Sequence, residues 1–345
     1  MHLLKHPEHF TKHTRLWSDH LRKGYIAVTA PPTKPGDSFL LFDTLPYDFR
    51  EDLPLPVGLN VYLDDTPQNV LRSANPPSLA HYVLPGFGSP GRRLTNCCLR
   101  SPACDDRPAQ LTPTDLFFLS VTALRLRAPI GVAIAGQFDL GRDDCLIENP
   151  TLFHLMSPWH PDGNACYSGE DVRFAAQLAE RQMQIAERKY TRLLSAVVLF
   201  SQVTCGHSKS FQMTYLALFS ALEALFVPKG DRARTLARRV ANFLAHLRFP
   251  GSLHDWLKKE YEDGRNKLSH GVQDVTPWTR IGESQSRAFG RLHEVTRLCI
   301  LGSMSLDDQK LASISGSAGE RLQKELDSLQ PGRGRFLDGQ RMWCD

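Results

Sequence analysis

Apolar and polar positions fall into two textures along the chain. Between Tyr25 and Asp139, short apolar runs alternate with Pro, Gly and Asp: Tyr25-Ile26-Ala27-Val28, Phe39-Leu40-Leu41-Phe42 and Leu59-Asn60-Val61-Tyr62-Leu63. Runs of that length bounded by turn residues predict strands rather than helices. Pro54, Pro56, Pro76, Pro77, Pro85 and Pro90 exclude long regular elements from that region, since proline cannot donate to a ladder. Asp115–Leu126 has the pattern of a helix, and Gly131–Gly136 reads as a buried strand.

After Gly169 the period becomes helical and stays so. Glu170–Arg188 is rich in Ala, Gln, Glu and Arg, all good helix formers. Tyr190–Gln202 carries Leu193, Leu194, Val197, Val198 and Leu199 as an apolar stripe. Cys205-Gly206-His207-Ser208 breaks the pattern before Ser210–Phe226, whose broad apolar face contains Glu223. Pro228-Lys229-Gly230 stops that helix, and Asp231 caps the next, Arg232–Arg248. Helices are then expected over Ser252–Tyr261 and Thr276–Leu301. The expected fold class is α+β: a β-rich or α+β part at 1–168, an all-α part at 169–305, and a peripheral helix with a tail at 306–345.

Composition narrows the partners only slightly. A chain of 345 residues, 41% hydrophobic and 23% charged, accommodates two globular domains. A net charge of +4 permits a nucleic-acid partner without demanding one, so basic character counts only where it is local. The apolar runs fall short of the ~20 residues that span a bilayer. Met1–Phe10 lacks the apolar core of a signal peptide, and the eight cysteines are scattered. The expectation is a cytoplasmic protein with reduced thiols and no membrane association.

Several apparent motifs carry little chemistry. His2, His6, His9 and His13 would share a helix face, but Pro7 interrupts it and neither carboxylate nor cysteine accompanies them. Cys97, Cys98 and Cys104 lack the paired spacing of a zinc knuckle. Gly86-Phe87-Gly88-Ser89-Pro90-Gly91 fits G-x-G-x-x-G, yet Pro90 opposes a helix start, so the stretch is expected to be a turn. His154, His160 and Cys166 lie among prolines and Gly163, as in a loop. No metal site and no cofactor are expected.

Arg265-Asn266-Lys267-Leu268-Ser269-His270-Gly271 is different. A guanidinium matches phosphate oxygens two at a time, and a histidine exchanges protons near neutral pH. Together they suffice to cut an RNA phosphodiester without a metal. The structural alternative is a helix end, with Gly271 as the stop and His270 as a last-turn cation. Upstream, Arg232, Arg234, Arg238 and Arg239 make one helix strongly basic, either as a solvated face or as a surface that tracks phosphates.

The order of these features resembles the HEPN superfamily, and within it the Apea-like branch. The resemblance rests on Ala221-Leu222-Glu223-Ala224-Leu225-Phe226, then Leu236-Ala237-Arg238-Arg239-Val240-Ala241, then Tyr261, Arg265-Asn266 and His270-Gly271. It covers residues 185–305 and leaves the N-terminal half unassigned. The resemblance implies an all-α bundle that pairs as a homodimer and brings two R-x4-6-H motifs into one cleft. Many such domains are metal-independent endoribonucleases of antiviral defence or toxin systems; others only bind RNA or nucleotide. Carried over by position, Arg265 and His270 match the catalytic pair, Asn266 the polar companion, and Glu223 the charged residue of the A-L-E helix. Glu223 has a structural alternative, an ion pair with Arg239. The leading expectation is an endoribonuclease; the alternative is a non-catalytic module whose N-terminal domain senses a ligand or partner.

Overall fold

The computed structural model describes residues 30–45, 47–48, 53–67, 97–103, 112–128, 132–143, 145–149, 166–188, 190–204, 211–227, 229–247, 249, 251–269, 283–306, 311 and 320–333. Outside them lie the N-terminal histidines, the Gly86–Gly91 stretch, His154, His160, His270 and Gly271. The chain is mixed α and β. An antiparallel sheet occupies its N-terminal part, and helices dominate thereafter. It divides into two compact units, Tyr25–Met183 with Thr204–His207 and the remainder, so that α2 below is shared between them.

The sheet unit contains β1 (Ser38–Thr44), β2 (Leu55–Gly58), β3 (Val61–Asp65), β4 (Cys97–Ser101), β5 (Ala133–Leu140) and β6 (Leu146–Asn149), in the order β2-β3-β4-β1-β5-β6. Phe39, Leu40, Leu41 and Phe42 are all buried, so β1, expected only as a strand, is covered on both faces. Pro56 sits in the edge strand β2, where a missing N–H costs least. Leu59 and Asn60, expected within a strand, instead form the hairpin turn between β2 and β3, with φ of 54° and 57°. Such two-residue turns match the right-handed twist of the strands they join. The helix α1 (Pro113–Arg127) begins at a reciprocal capping box between Thr112 and Asp115. Helix α2 (Gly169–Glu187) is tied to α1 through Gln182 on the Leu119 carbonyl and Asp171 on Arg127 at 2.7 Å.

The helical unit contains α3 (Thr191–Thr204), α4 (Phe211–Phe226), α5 (Arg232–Phe243), α6 (Leu253–Glu260), a π-helical segment Tyr261–Asn266 with a last turn Lys267–Ser269, α7 (Glu283–Met304) and α8 (Glu320–Ser328). Leu218, Phe219, Leu222, Leu225 and Phe226 of α4 are buried, and α4 meets α5, α7 and the π segment. Two expected boundaries shift. Helix α5 ends at Phe243 rather than Arg248, giving way to turns in which Leu244 and Leu247 remain buried. The helix expected to finish at Tyr261 continues to Ser269 through the π segment. Among the described residues no helix is long and apolar enough to cross a membrane.

Candidate functional site

Three turns of α4 present Tyr215, Phe219 and Glu223 at successive intervals of four, which puts them on one helix face. That face meets the π segment. Tyr215 is fully buried, and its hydroxyl reaches Glu260 Oε1 at 2.7 Å and the Glu260 carbonyl at 3.1 Å. Phe219 stands edge-on to both tyrosine rings, with centroids 5.1 Å from Tyr215 and 5.4 Å from Tyr261. Glu223 accepts a short hydrogen bond from the Tyr261 hydroxyl and pairs with the Arg265 guanidinium at 3.2 Å.

Arg265 is therefore oriented from several sides. Its Nη2 points at Glu223, its Nη1 donates to Ser269 Oγ at 3.3 Å, and its guanidinium carbon lies 5.2 Å from the centre of the Tyr261 ring. Ser269 in turn donates to the Asn266 carbonyl at 3.1 Å, which braces the turn carrying the motif. Among the described residues no further acceptor meets the guanidinium, whose side chain keeps 20% exposure. A planar cation fixed along one edge and open along another is set up to receive a second anion.

The electrostatics follow from burial. Removal from water, then the bond to Glu223, pushes the Tyr261 phenol up to about 12, with Arg265 and Arg232 pulling it back. Arg232 contributes its positive charge from the start of α5, where it is exposed. Burial raises the Glu260 carboxyl above the ordinary carboxylate range, against the bond from Tyr215. The Tyr215 phenol is raised too, by burial and by the neighbouring carboxylate.

The remaining arginines of α5 separate by position. Arg234 is exposed and Arg238 is half-buried, 3.3 Å from Asp327 of α8. Arg239 turns inward: it pairs with Asp327 at 2.5 Å and donates to the carbonyls of Phe226 and Val227 at the end of α4. Its donors satisfy a helix terminus, so it takes no part in a solvent-facing basic surface. Glu223 has Arg265 as its ionic partner in place of Arg239, the partner that its structural alternative required. Glu223, Tyr261 and Arg265 are brought together; Arg239 is not.

Tyr215, Glu260 and Gly264 join the site although the motif reading did not select them. Gly264 lay beyond the expected helix end at Tyr261, and only the structure places it inside a helical segment. Among the described side chains of the sheet unit, buried Asp37 and Arg100 and half-buried Asp64 form a charge cluster, but their bonds knit β3 and β4 to the residue before β1. Compared with family models, with curated proteins and with solved structures, the chain shows no match.

Proposed function

We propose that the chain is a metal-independent endoribonuclease of the HEPN type, acting as a homodimer on single-stranded RNA. In this reading residues 1–168 form a domain of separate role and 169–305 a HEPN-like bundle. The observation that carries the proposal is the setting of Arg265. Its guanidinium is aimed by Glu223, Tyr261 and Ser269 and remains partly open to solvent. Preorganised donors of this kind are worth most where negative charge develops in a transition state.

The chemistry divides among the motif residues. His270, one residue beyond Ser269 in the chain, takes the proton from a ribose 2′-hydroxyl. The 2′ oxygen forms a bond to the adjacent phosphorus while the bond to the 5′ oxygen breaks, and that oxygen leaves protonated. In a homodimer whose two motifs share a cleft, a histidine of the second subunit supplies this proton. Arg265 stabilises the dianionic phosphorane, and Asn266 orients the phosphate or His270. The products are a 2′,3′-cyclic phosphate and a 5′-hydroxyl, and DNA is inert because it lacks the nucleophile. Arg232, Arg234 and Arg238 follow the flanking phosphates; Arg239 supports α4 instead.

The test is incubation of single-stranded RNA, in EDTA, with wild type, Arg265→Ala and His270→Ala. Cleavage by wild type to cyclic phosphate ends, lost in both variants, is the expected outcome. Equal cleavage by all three, or cleavage that EDTA abolishes, overturns the proposal. Salt-sensitive binding without cleavage assigns the chain to the non-catalytic modules.

A further inference from the structure

At residue 261 the backbone ladder of α6 changes from four-residue to five-residue spacing. Such π segments are rare and have an identifiable cause where a group intrudes on the ladder. Here the intruding group is visible. The Tyr215 hydroxyl lies 3.1 Å from the carbonyl of Glu260, the acceptor at which the spacing changes. In an α-helix that carbonyl faces the N–H of residue 264; in a π-helix it faces that of residue 265. On its other side the hydroxyl lies against Gly264, where an added Cβ would sit 2.1 Å from the oxygen. Only a residue without a side chain admits the phenol so close to the backbone.

One extra residue in a helical turn rotates everything after it by about 100° around the axis. Arg265 is the residue next to Gly264, so its direction depends on that rotation. The geometry points to Tyr215 as the positioning residue of the site: its hydroxyl, wedged between the Glu260 carbonyl and Gly264, holds the π register that aims Arg265 at Glu223. The inference deepens the nuclease reading and rests on it for its effect on catalysis, while its structural content stands apart.

Tyr215→Phe removes the wedge and keeps the ring against Phe219. The expected result is a folded protein whose kcat for RNA cleavage falls roughly 10–100-fold with KM changed less than about threefold, since misaiming costs turnover. Tyr261 reports the same event without any activity. With Arg265 turned away, its phenol titration moves relative to wild type. Gly264→Ala attacks the same contact from the opposite side and covers the case in which Tyr215→Phe does not fold. The double variant is expected to fall no further than the worse single one, because both substitutions unseat the same hydroxyl from between the Glu260 carbonyl and Gly264, and Tyr215→Phe alone already includes the loss of its bond to Glu260 Oε1. Additive losses, or folded single variants that keep wild-type kcat and an unchanged Tyr261 titration, overturn the inference. If wild type and Arg265→Ala prove equally inactive on RNA, the nuclease reading fails. The Tyr261 titration of the two variants then decides the positioning role alone.

Discussion

Glu223 is the residue on which the site's geometry turns, because one carboxylate serves both the Tyr261 hydroxyl and the Arg265 guanidinium. Replacing it with Gln keeps an acceptor for Tyr261 but removes the charge that holds Arg265. Glu223→Gln is therefore expected to lower RNA cleavage roughly tenfold with little loss of stability, and Glu223→Ala to lower both, by about 1–3 kcal/mol for the stranded hydroxyl and cation. Denaturant unfolding beside single-turnover kinetics separates the two effects. The Tyr261 phenol, raised to about 12 from an ordinary 10.0, gives a pH signature. The fold favours the neutral phenol. Its contribution to stability is complete below pH 10 and is lost as pH rises through 12. Wild type is expected to lose stability across that interval more steeply than Tyr261→Phe, a comparison that cancels the contribution of Tyr215. Similar slopes would show that neither the burial nor the Glu223 bond of the Tyr261 phenol holds in solution.

Among the elements, α8 does more than border the bundle. Leu322 and Leu326 are buried, Gln323 donates to the Leu225 carbonyl, and Asp327 anchors Arg239 beneath the end of α4. Val227, which follows α4, takes a positive φ of 41°, an uncommon setting for a β-branched residue. Its carbonyl is bound by Arg239. Arg239→Ala is expected to destabilise the protein by about 2–4 kcal/mol, through unpaired carbonyls and a stranded carboxylate, without the salt dependence of a phosphate-binding residue. Arg232→Ala should do the converse: near-wild-type stability and weaker, less salt-sensitive RNA binding. At the start of α1, Thr112→Ala should cost roughly 1 kcal/mol in equilibrium unfolding by opening the capping box.

Helices were more legible than strands or site partners at this scale. The helix-forming composition of α2 and the apolar stripes of α3 and α4 lie within a few turns, so local pattern suffices. Strand β4, Cys97–Ser101, is buried throughout yet reads as a cysteine cluster beside an arginine. Its burial depends on β1 and β3 and on Asp37 and Asp64 accepting from Arg100. The expected stop of α6 at Tyr261 misses the π segment because Tyr215 acts from 45 residues away.

For the whole molecule, the homodimer belongs to the proposal, and light scattering on the purified chain tests it: a mass twice that of the chain is expected. Subunit mixing then checks whether one cleft uses both copies. Wild type titrated with excess His270→Ala should lose activity faster than in proportion to dilution if each cleft needs two histidines. Proportional loss would place a complete site in each subunit.

Read alone, the amino-acid order determined the division into a β-rich part and a helical part, because hydrophobic period and turn residues act over a few neighbours. It also singled out Arg265, Asn266 and His270, since residue type at fixed spacing is itself local information, whereas Glu223 entered only through the family resemblance. Which groups meet was decided by the tertiary structure. Packing α4 along the π segment gave Glu223 to Arg265 rather than to Arg239, and sent Arg239 to Asp327. The same packing set Tyr215 against Gly264. Such pairings depend on helix rotation and on contacts distant in sequence, which no periodicity encodes.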